Sequence, residues 1–126
     1  MTGKRILVVD DEADIVETTK AILQQNQYEV TTASGGEEAL GKIKQSMPDL
    51  IILDILMPRK DGLWFLQKIR EEKTTFSVPI IFLTALQKKE EQVRGGFVPD
   101  GVRHRIFAKP FEPDELLEAI RELLNP

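Results

Sequence analysis

The chain has 126 residues, 41% of them hydrophobic, with 17 Lys and Arg against 21 Asp and Glu and a formal charge of −4. That size and apolar content suit a single domain over 1–126 with a real core, and a mildly acidic chain with no basic block argues against a nucleic-acid surface of its own. There is no cysteine, so disulfides and thiolate metal sites are excluded. No apolar run approaches the roughly 18 residues needed to span a bilayer, and residues 1–5 lead straight into a strand pattern with no signal-peptide core. The expectation is a soluble cytoplasmic protein with no membrane or direct nucleic-acid partner.

Strand and helix signals alternate along the chain. Ile6–Val9 is a short apolar run that stops at Asp10-Asp11. Asp14–Asn26 follows as a helix, with Ile15, Ile22 and Leu23 on a stripe around Thr18 and Thr19 and an acidic start. Tyr28–Ala33 is rich in β-branched residues and predicts a strand. Ser34-Gly35-Gly36 is a turn with Ser34 a candidate cap, and Glu37–Ser46 a helix burying Ala39, Leu40 and Ile43. Met47-Pro48-Asp49 breaks that helix, and Leu50–Leu53 runs to Asp54.

Gly62–Glu72 predicts a helix with Leu63, Leu66 and Ile69 toward the core, which leaves Trp64 open to either core packing or a partner contact. Lys73–Ser77 is a polar loop, and Pro79 opens a strand over Ile80–Leu83 that stops at Thr84. Gln87–Arg94 has helical propensity but little apolar periodicity. The following Gly95-Gly96-Phe97-Val98-Pro99-Asp100-Gly101 should end that helix early, since paired Gly and a following Pro are poor helix formers. Ile106–Ala108 stops at Lys109-Pro110. Glu112-Pro113-Asp114-Glu115 then opens a helix whose stripe is Leu116, Leu117, Ile120, Leu123 and Leu124.

Four short apolar runs bounded by turn signals suit strands buried on both faces of a parallel sheet. Five strands alternating with five helices predict an α/β fold, a five-stranded doubly wound parallel sheet of the flavodoxin-like (βα)5 kind with right-handed crossovers. Strand order 2-1-3-4-5 puts the switch point between the strands ending in Asp10-Asp11 and Asp54. All four stops then fall on one edge, where open α/β sheets bind ligands. Carboxylates held close together repel, and a cation among them relieves the repulsion. Hard oxygen donors beside a phosphate-sized opening favour Mg²⁺. With no cysteine and His104 the sole histidine, zinc does not fit. Lys109 adds a compact positive charge and Thr84 a hydroxyl donor, so the set is a phosphate-binding constellation. An Asp within it can attack phosphorus to form an aspartyl-phosphate.

Each of these residues also has a structural reading. Asp10, Asp11 or Asp54 alone could cap a helix or sit in a solvated turn; it is their convergence with Lys109 that argues for a site. Glu12 either shapes the acidic rim or caps the first helix. Met57-Pro58 and Asp61-Gly62 read as loop shaping, Gly35-Gly36 as a turn rather than a phosphate cradle, His104 as a surface loop residue, and Lys88-Lys-Glu-Glu91 as a solvated helix face.

With Ile6-Leu-Val-Val-Asp-Asp-Glu12, Asp54-Ile-Leu-Met-Pro-Arg-Lys-Asp-Gly62, Leu83-Thr-Ala85 and Lys109-Pro-Phe111 in this order, the chain resembles the receiver domain of bacterial two-component response regulators over nearly its whole length. The resemblance implies that Asp54 is the phosphoacceptor, taking a phosphoryl group from a phosphohistidine on a sensor histidine kinase or phosphotransfer protein. Asp11 would bind Mg²⁺ directly, Asp10 would help through water, and the backbone carbonyl of Leu56 would complete the protein's share of the shell. Lys109 would pair with the phosphoryl oxygens. Thr84 would move toward them and switch a partner-binding surface made by the last two strands and helices, read by a downstream protein whose identity the sequence does not disclose. Pro110 stands where the family often has a cis bond.

The chain also departs from the family pattern. Ile106 stands three residues before Lys109 where the family usually has Tyr or Phe, so threonine–aromatic coupling is in question. The stretch between Thr84 and Lys109 is longer than usual and lacks the charges many receivers use to dimerise there. Leu56 and Leu86 flank the path of a hydrolytic water, which predicts slow autodephosphorylation because apolar neighbours orient water poorly. The leading expectation is a stand-alone signalling switch that catalyses only its own phosphorylation and dephosphorylation. One alternative is a receiver cut from a larger regulator or hybrid kinase. Another is an Mg²⁺-dependent phosphatase with an Asp nucleophile, which would need an acid/base aspartate at position 56, where the chain has Leu.

Overall fold

The structure is a computed structural model that describes residues 3–54, 61–71, 78–84, 103–108 and 111–125. Its elements are β1 (Arg5–Val9), α1 (Ala13–Gln25), β2 (Glu29–Ala33), α2 (Gly36–Gln45), β3 (Leu50–Asp54), α3 (Asp61–Glu71), β4 (Ile80–Thr84), β5 (His104–Ala108) and, last in the chain, α4 (Pro113–Leu124). The helix expected over 87–94 and the glycine-rich stretch after it lie outside the described residues.

The five strands form one parallel sheet in the order β2-β1-β3-β4-β5, as the sequence predicts. Parallel pairing aligns the strand ends. Val9 is level with Ala33 and Leu53, Asp54 with Leu83, and Thr84 with Ala108. Continuing the β1–β3 register by one residue brings Asp10 level with Asp54. The opposite end is latched at Arg5 and Asp49. The Arg5 amide donates to Asp49 Oδ2 at 2.8 Å, the Asp49 amide donates back to the Arg5 carbonyl at 2.8 Å, and Arg5 Nη1 reaches Ser46 Oγ. This fixes where β3 starts beside β1, and therefore where it ends.

Side chains alternate across the sheet, so each central strand feeds two cores. Leu7, Val9, Ile51, Leu53, Ile80 and Phe82 pack with Ala39 and Ile43 of α2 and Phe65, Leu66 and Ile69 of α3. Ile6, Val8, Leu50, Ile52, Ile81 and Leu83 pack with Leu23 of α1 and Leu116 and Ile120 of α4. Every residue of β3 is buried, which explains its unbroken apolar run. β5 departs from the expectation of burial on both faces. Ile106 and Phe107 are half-buried and Ala108 is exposed, because β5 lies at the sheet edge and pairs with β4 alone.

On α3 Leu66 and Ile69 are buried as expected, and Phe65, which is not in the predicted stripe, is fully buried with them; the side chain of Leu63 lies outside the described residues. Trp64 is half-buried against the α2–α3 core, with Lys68 Nζ 5.7 Å from its ring centroid. On α1, Thr19 and Leu23 take the buried positions, and Ile15 and Ile22 are only half-buried. His104 also differs from its reading as a surface loop residue. It opens β5, half-buried, its ring 6.0 Å from that of Phe82 at 70°.

The exit from α1 sets the path into β2. The Gln27 amide bonds the Gln24 carbonyl at 3.0 Å and the Tyr28 amide the Leu23 carbonyl at 3.1 Å, the paired pattern of a Schellman cap. Its left-handed position is Gln27, at φ 70°. Tyr28 and Leu23, the two side chains such a cap brings together, are both buried in the α1–α4 core.

Candidate functional site

Asp10 and Asp54 are the buried carboxylates of the described residues, at 1% and 3% exposure. Both follow from strand geometry, since each sits where a buried apolar strand ends, β1 for Asp10 and β3 for Asp54. The Asp10 amide extends the β1–β2 ladder by donating to the Ala33 carbonyl at 3.1 Å, which holds its backbone in line with the strand. Its side chain turns back on the next residues, Oδ1 accepting from the Glu12 amide at 2.9 Å. That bond closes an Asx turn and leads into α1.

Glu12 is the N-cap residue of α1, with extended backbone (φ −92°, ψ 107°), and its carbonyl accepts the first helical bond from Val16 at 3.1 Å. Its side chain makes no capping bond. Instead its carboxylate joins those of Asp10 and Asp54, with ligand oxygens of all three within 4.8 Å of one another. Two of these groups are buried and one is exposed, so the cluster opens to solvent on the α1 side. The donor set is hard oxygen throughout, which suits a divalent cation such as Mg²⁺ or Ca²⁺ and offers nothing to a soft metal.

Asp11 is exposed and shares with Asp10 the lining of a cleft of about 230 Å³, together with Val16, Glu17, Thr32, Ser34 and Glu38. The wall of that cleft is organised by Glu38, whose Oε1 accepts from the Ser34 amide at 2.8 Å and from the Ser34 hydroxyl at 2.9 Å. Ser34 thus engages α2 as the sequence suggests, but one residue before Gly35, which is the N-cap. The Ser34 amide bond and then the Ser34 hydroxyl hold the Glu38 carboxyl below its usual range against the opposing effect of burial, with the Lys42 ammonium adding the weakest contribution.

Thr84 ends β4 opposite Ala108 of β5, one residue beyond the level of Asp54, so its backbone shares the edge that carries the carboxylates. The Thr84 side chain, Leu56, Met57-Pro58, Leu86, Lys109 and Pro110 lie outside the described residues. Among the predicted residues, therefore, Asp10 and Asp54 are brought together, Asp11 lines the cleft that Asp10 also lines, and Glu12 enters the group from its reading as rim or cap. The Asx turn is the physical reason: a side chain at one position bonded to the amide two residues on folds the two carboxylates toward each other. An Asp two residues before a helix start is the sequence signal for such a turn.

The response regulator receiver domain family matches residues 6–121 of the chain. A probable transcriptional regulator, ycf27, of Guillardia theta is 43% identical over 98% of this chain and 46% of its own length. The chain spans about half the length of the curated relatives it matches. Among solved structures, the chemotaxis protein CheY4 of Vibrio cholerae is 33% identical with a TM-score of 0.85, covering 98% of this chain and 100% of that one. The regulator TrrA of Thermotoga maritima, solved in complex with Mg²⁺-BeF, is 42% identical with a TM-score of 0.78, covering 96% of this chain and 99% of that one.

Proposed function

The chain belongs to the response regulator receiver domain family, and from that premise we propose that it is a phosphorylation switch whose acceptor is Asp54. The observation that carries the reading is the burial of Asp54 at the end of β3, level with Asp10 across β1, on the edge where β4 ends in Thr84. In the proposed step a carboxylate oxygen of Asp54 attacks phosphorus while the bond from phosphorus to the donor's histidine nitrogen breaks. The leaving nitrogen keeps the electron pair and takes a proton. Mg²⁺ held by Asp10, Asp11 and Asp54, with the backbone carbonyl of Leu56, would neutralise charge on the group in transfer. Asp11 would reach it from the exposed rim, and Lys109 would pair with the phosphoryl oxygens.

The product carries nearly two negative charges and new acceptor oxygens. The Thr84 hydroxyl donates to them only after moving, which biases a two-state equilibrium at the β4–β5 side of the sheet. Ile106, half-buried against the α2–α3 core, takes the place of the aromatic residue usual there, so the coupling runs without a rotating ring. Receiver domains are signalling domains, and the catalysis proposed for this one is limited to its own phosphorylation and dephosphorylation. The donor is a sensor histidine kinase or phosphotransfer protein in the cytoplasm, and the output is binding of a downstream protein. No helix among the described residues is long and apolar enough to cross a membrane. The half-length match to longer regulators favours a second reading, in which the same switch serves as one domain, 1–126, of a larger protein.

The test is intact mass after incubation with Mg²⁺ and acetyl phosphate. One added phosphoryl group, dependent on Mg²⁺ and absent from Asp54→Asn, is expected. An adduct that persists in Asp54→Asn, or none in wild type with either acetyl phosphate or a phosphorylated histidine kinase, overturns the assignment.

A further inference from the structure

We propose that a cleft at the other edge of the sheet, where the strands begin, binds a small organic carboxylate. The proposal stands apart from the phosphorylation reading and does not depend on it. The cleft has a volume of about 250 Å³. Its polar members are Lys4, which precedes β1, Asp49, which precedes β3, and Arg103, which precedes β5. Its buried members are apolar: Pro48, Val78 and Pro79 at the starts of β3 and β4, and Leu123 in the last turn of α4.

A proline nitrogen carries no hydrogen, so Pro48 and Pro79 offer a ligand no donor. The side-chain donors are the Lys4 ammonium and the Arg103 guanidinium. Among the described residues neither meets a carboxylate, whereas Arg5 pairs with Glu29 and Arg105 with Glu122. Arg103 Nη1 donates to the Leu123 carbonyl at 2.6 Å, which steadies the guanidinium and leaves the rest of its fork for a ligand. A planar guanidinium matches a carboxylate with paired bonds, and the ammonium adds charge without fixed direction. Groups that would repel an anion are already engaged. Asp49 Oδ2 accepts from the Arg5 amide at 2.8 Å. At the end of α4 the Leu123 carbonyl takes the Arg103 bond, and the Arg121 carbonyl accepts the Asn125 amide at 3.0 Å. Two cations against one carboxylate, beside an apolar surface, select a negative head on a short hydrocarbon body. The volume falls below the roughly 300 Å³ at which drug-sized pockets begin, so the ligand is of metabolite size.

The experiment follows backbone amide NMR shifts while the protein is titrated, without Mg²⁺, with isovalerate, with its neutral isostere isovaleramide and with inorganic phosphate. Isovalerate should shift the amides of Asp49, Ile80, Arg103 and Leu124 saturably, and isovaleramide should bind at least tenfold more weakly. Arg103→Gln removes the guanidinium and should weaken isovalerate about tenfold or more. Lys4 is exposed, so Lys4→Gln should cost about two- to fivefold. Lys42→Gln, on α2 and outside the cleft, should match wild type.

No saturable shift with isovalerate in wild type overturns the proposal, as does isovaleramide binding equally well. Phosphate that saturates these amides while isovalerate does not overturns the assignment of a carboxylate. Should Arg103→Gln fail to fold, Lys4→Gln carries the test, because the Lys4 side chain makes no hydrogen bond or ion pair among the described residues; Lys4→Gln binding as Lys42→Gln does then overturns the site.

Discussion

Replacing Gln27 with glycine should stabilise the protein. Gln27 is the left-handed residue of the Schellman cap that ends α1, at φ 70°, with its amide and that of Tyr28 bonded to the carbonyls of Gln24 and Leu23. A side chain with a Cβ in the left-handed region costs roughly 1–2 kcal/mol, a cost glycine escapes. Glycine's greater freedom in the unfolded chain offsets about 0.4–1 kcal/mol of that gain. A net stabilisation of about 0.5–1 kcal/mol remains, which for a domain of this size is roughly 2–6 °C in Tm. The assay is urea unfolding followed by circular dichroism and Trp64 fluorescence, with Gln27→Ala measured beside Gln27→Gly. Alanine removes whatever the glutamine side chain contributes while keeping the Cβ, so the Gly–Ala difference isolates the backbone effect. Gln27→Val should be worse than alanine, because β-branching tolerates positive φ least. Glycine no more stable than alanine would refute the argument that α1 ends on a strained residue.

Thr19 is fully buried in α1, and its Oγ1 has no hydrogen-bond partner among the described residues. Thr19→Val, nearly isosteric, should therefore raise stability by about 1 kcal/mol, and a loss of that size in denaturant titration would mean that the hydroxyl is bonded. Phe65, fully buried between α3 and the sheet, should cost about 3–5 kcal/mol on truncation to alanine, read from the urea midpoint; a cost below 1 kcal/mol would contradict its place in the core. The Glu38 carboxyl is held below its usual value by the Ser34 amide and hydroxyl. The folded form therefore binds its proton less tightly than the unfolded chain. The resulting stability is present above the ordinary carboxylate range and lost as pH falls through the lowered value. The stability gap between wild type and Glu38→Gln should accordingly be flat at neutral pH and shrink on acidification below about pH 4.5, the ordinary value; a gap independent of pH would remove the carboxylate from the explanation.

Much of the candidate site was legible along the chain because strand ends are local facts. Ile6–Val9 and Leu50–Leu53 are apolar throughout, so they had to lie between two layers, and the residues that stop them, Asp10 and Asp54, had to emerge at an edge. Parallel pairing then forced both onto the same edge, since parallel strands point one way. The helix stripes were read with less success. Thr19 took a buried place ahead of the predicted Ile15 and Ile22, and Phe65 joined the predicted Leu66 and Ile69 in the core, because which part of a helix surface is buried depends on how the helix is rotated against its sheet, and that rotation is set by contacts with residues far away in sequence. His104 was misplaced for a related reason, since a strand with one partner and one open side carries too little apolar pattern to announce itself.

The alternation of apolar runs and amphipathic segments determined the architecture of this protein, and the residues at the run ends determined its chemistry, because both are written in neighbouring positions. Tertiary structure alone decided which carboxylates meet. Asp11 and Glu12 are adjacent and both exposed, yet the Asx turn at Asp10 and the start of α1 bring a Glu12 oxygen within 4.8 Å of those of Asp10 and Asp54, while Asp11 lines the cleft that Asp10 shares with Glu17 and Glu38. The Asx turn is local, but where it places the carboxylates depends on the strand register that sets Asp54 level with Asp10 and on the packing of Leu23 of α1 into the core, both made by residues distant in sequence.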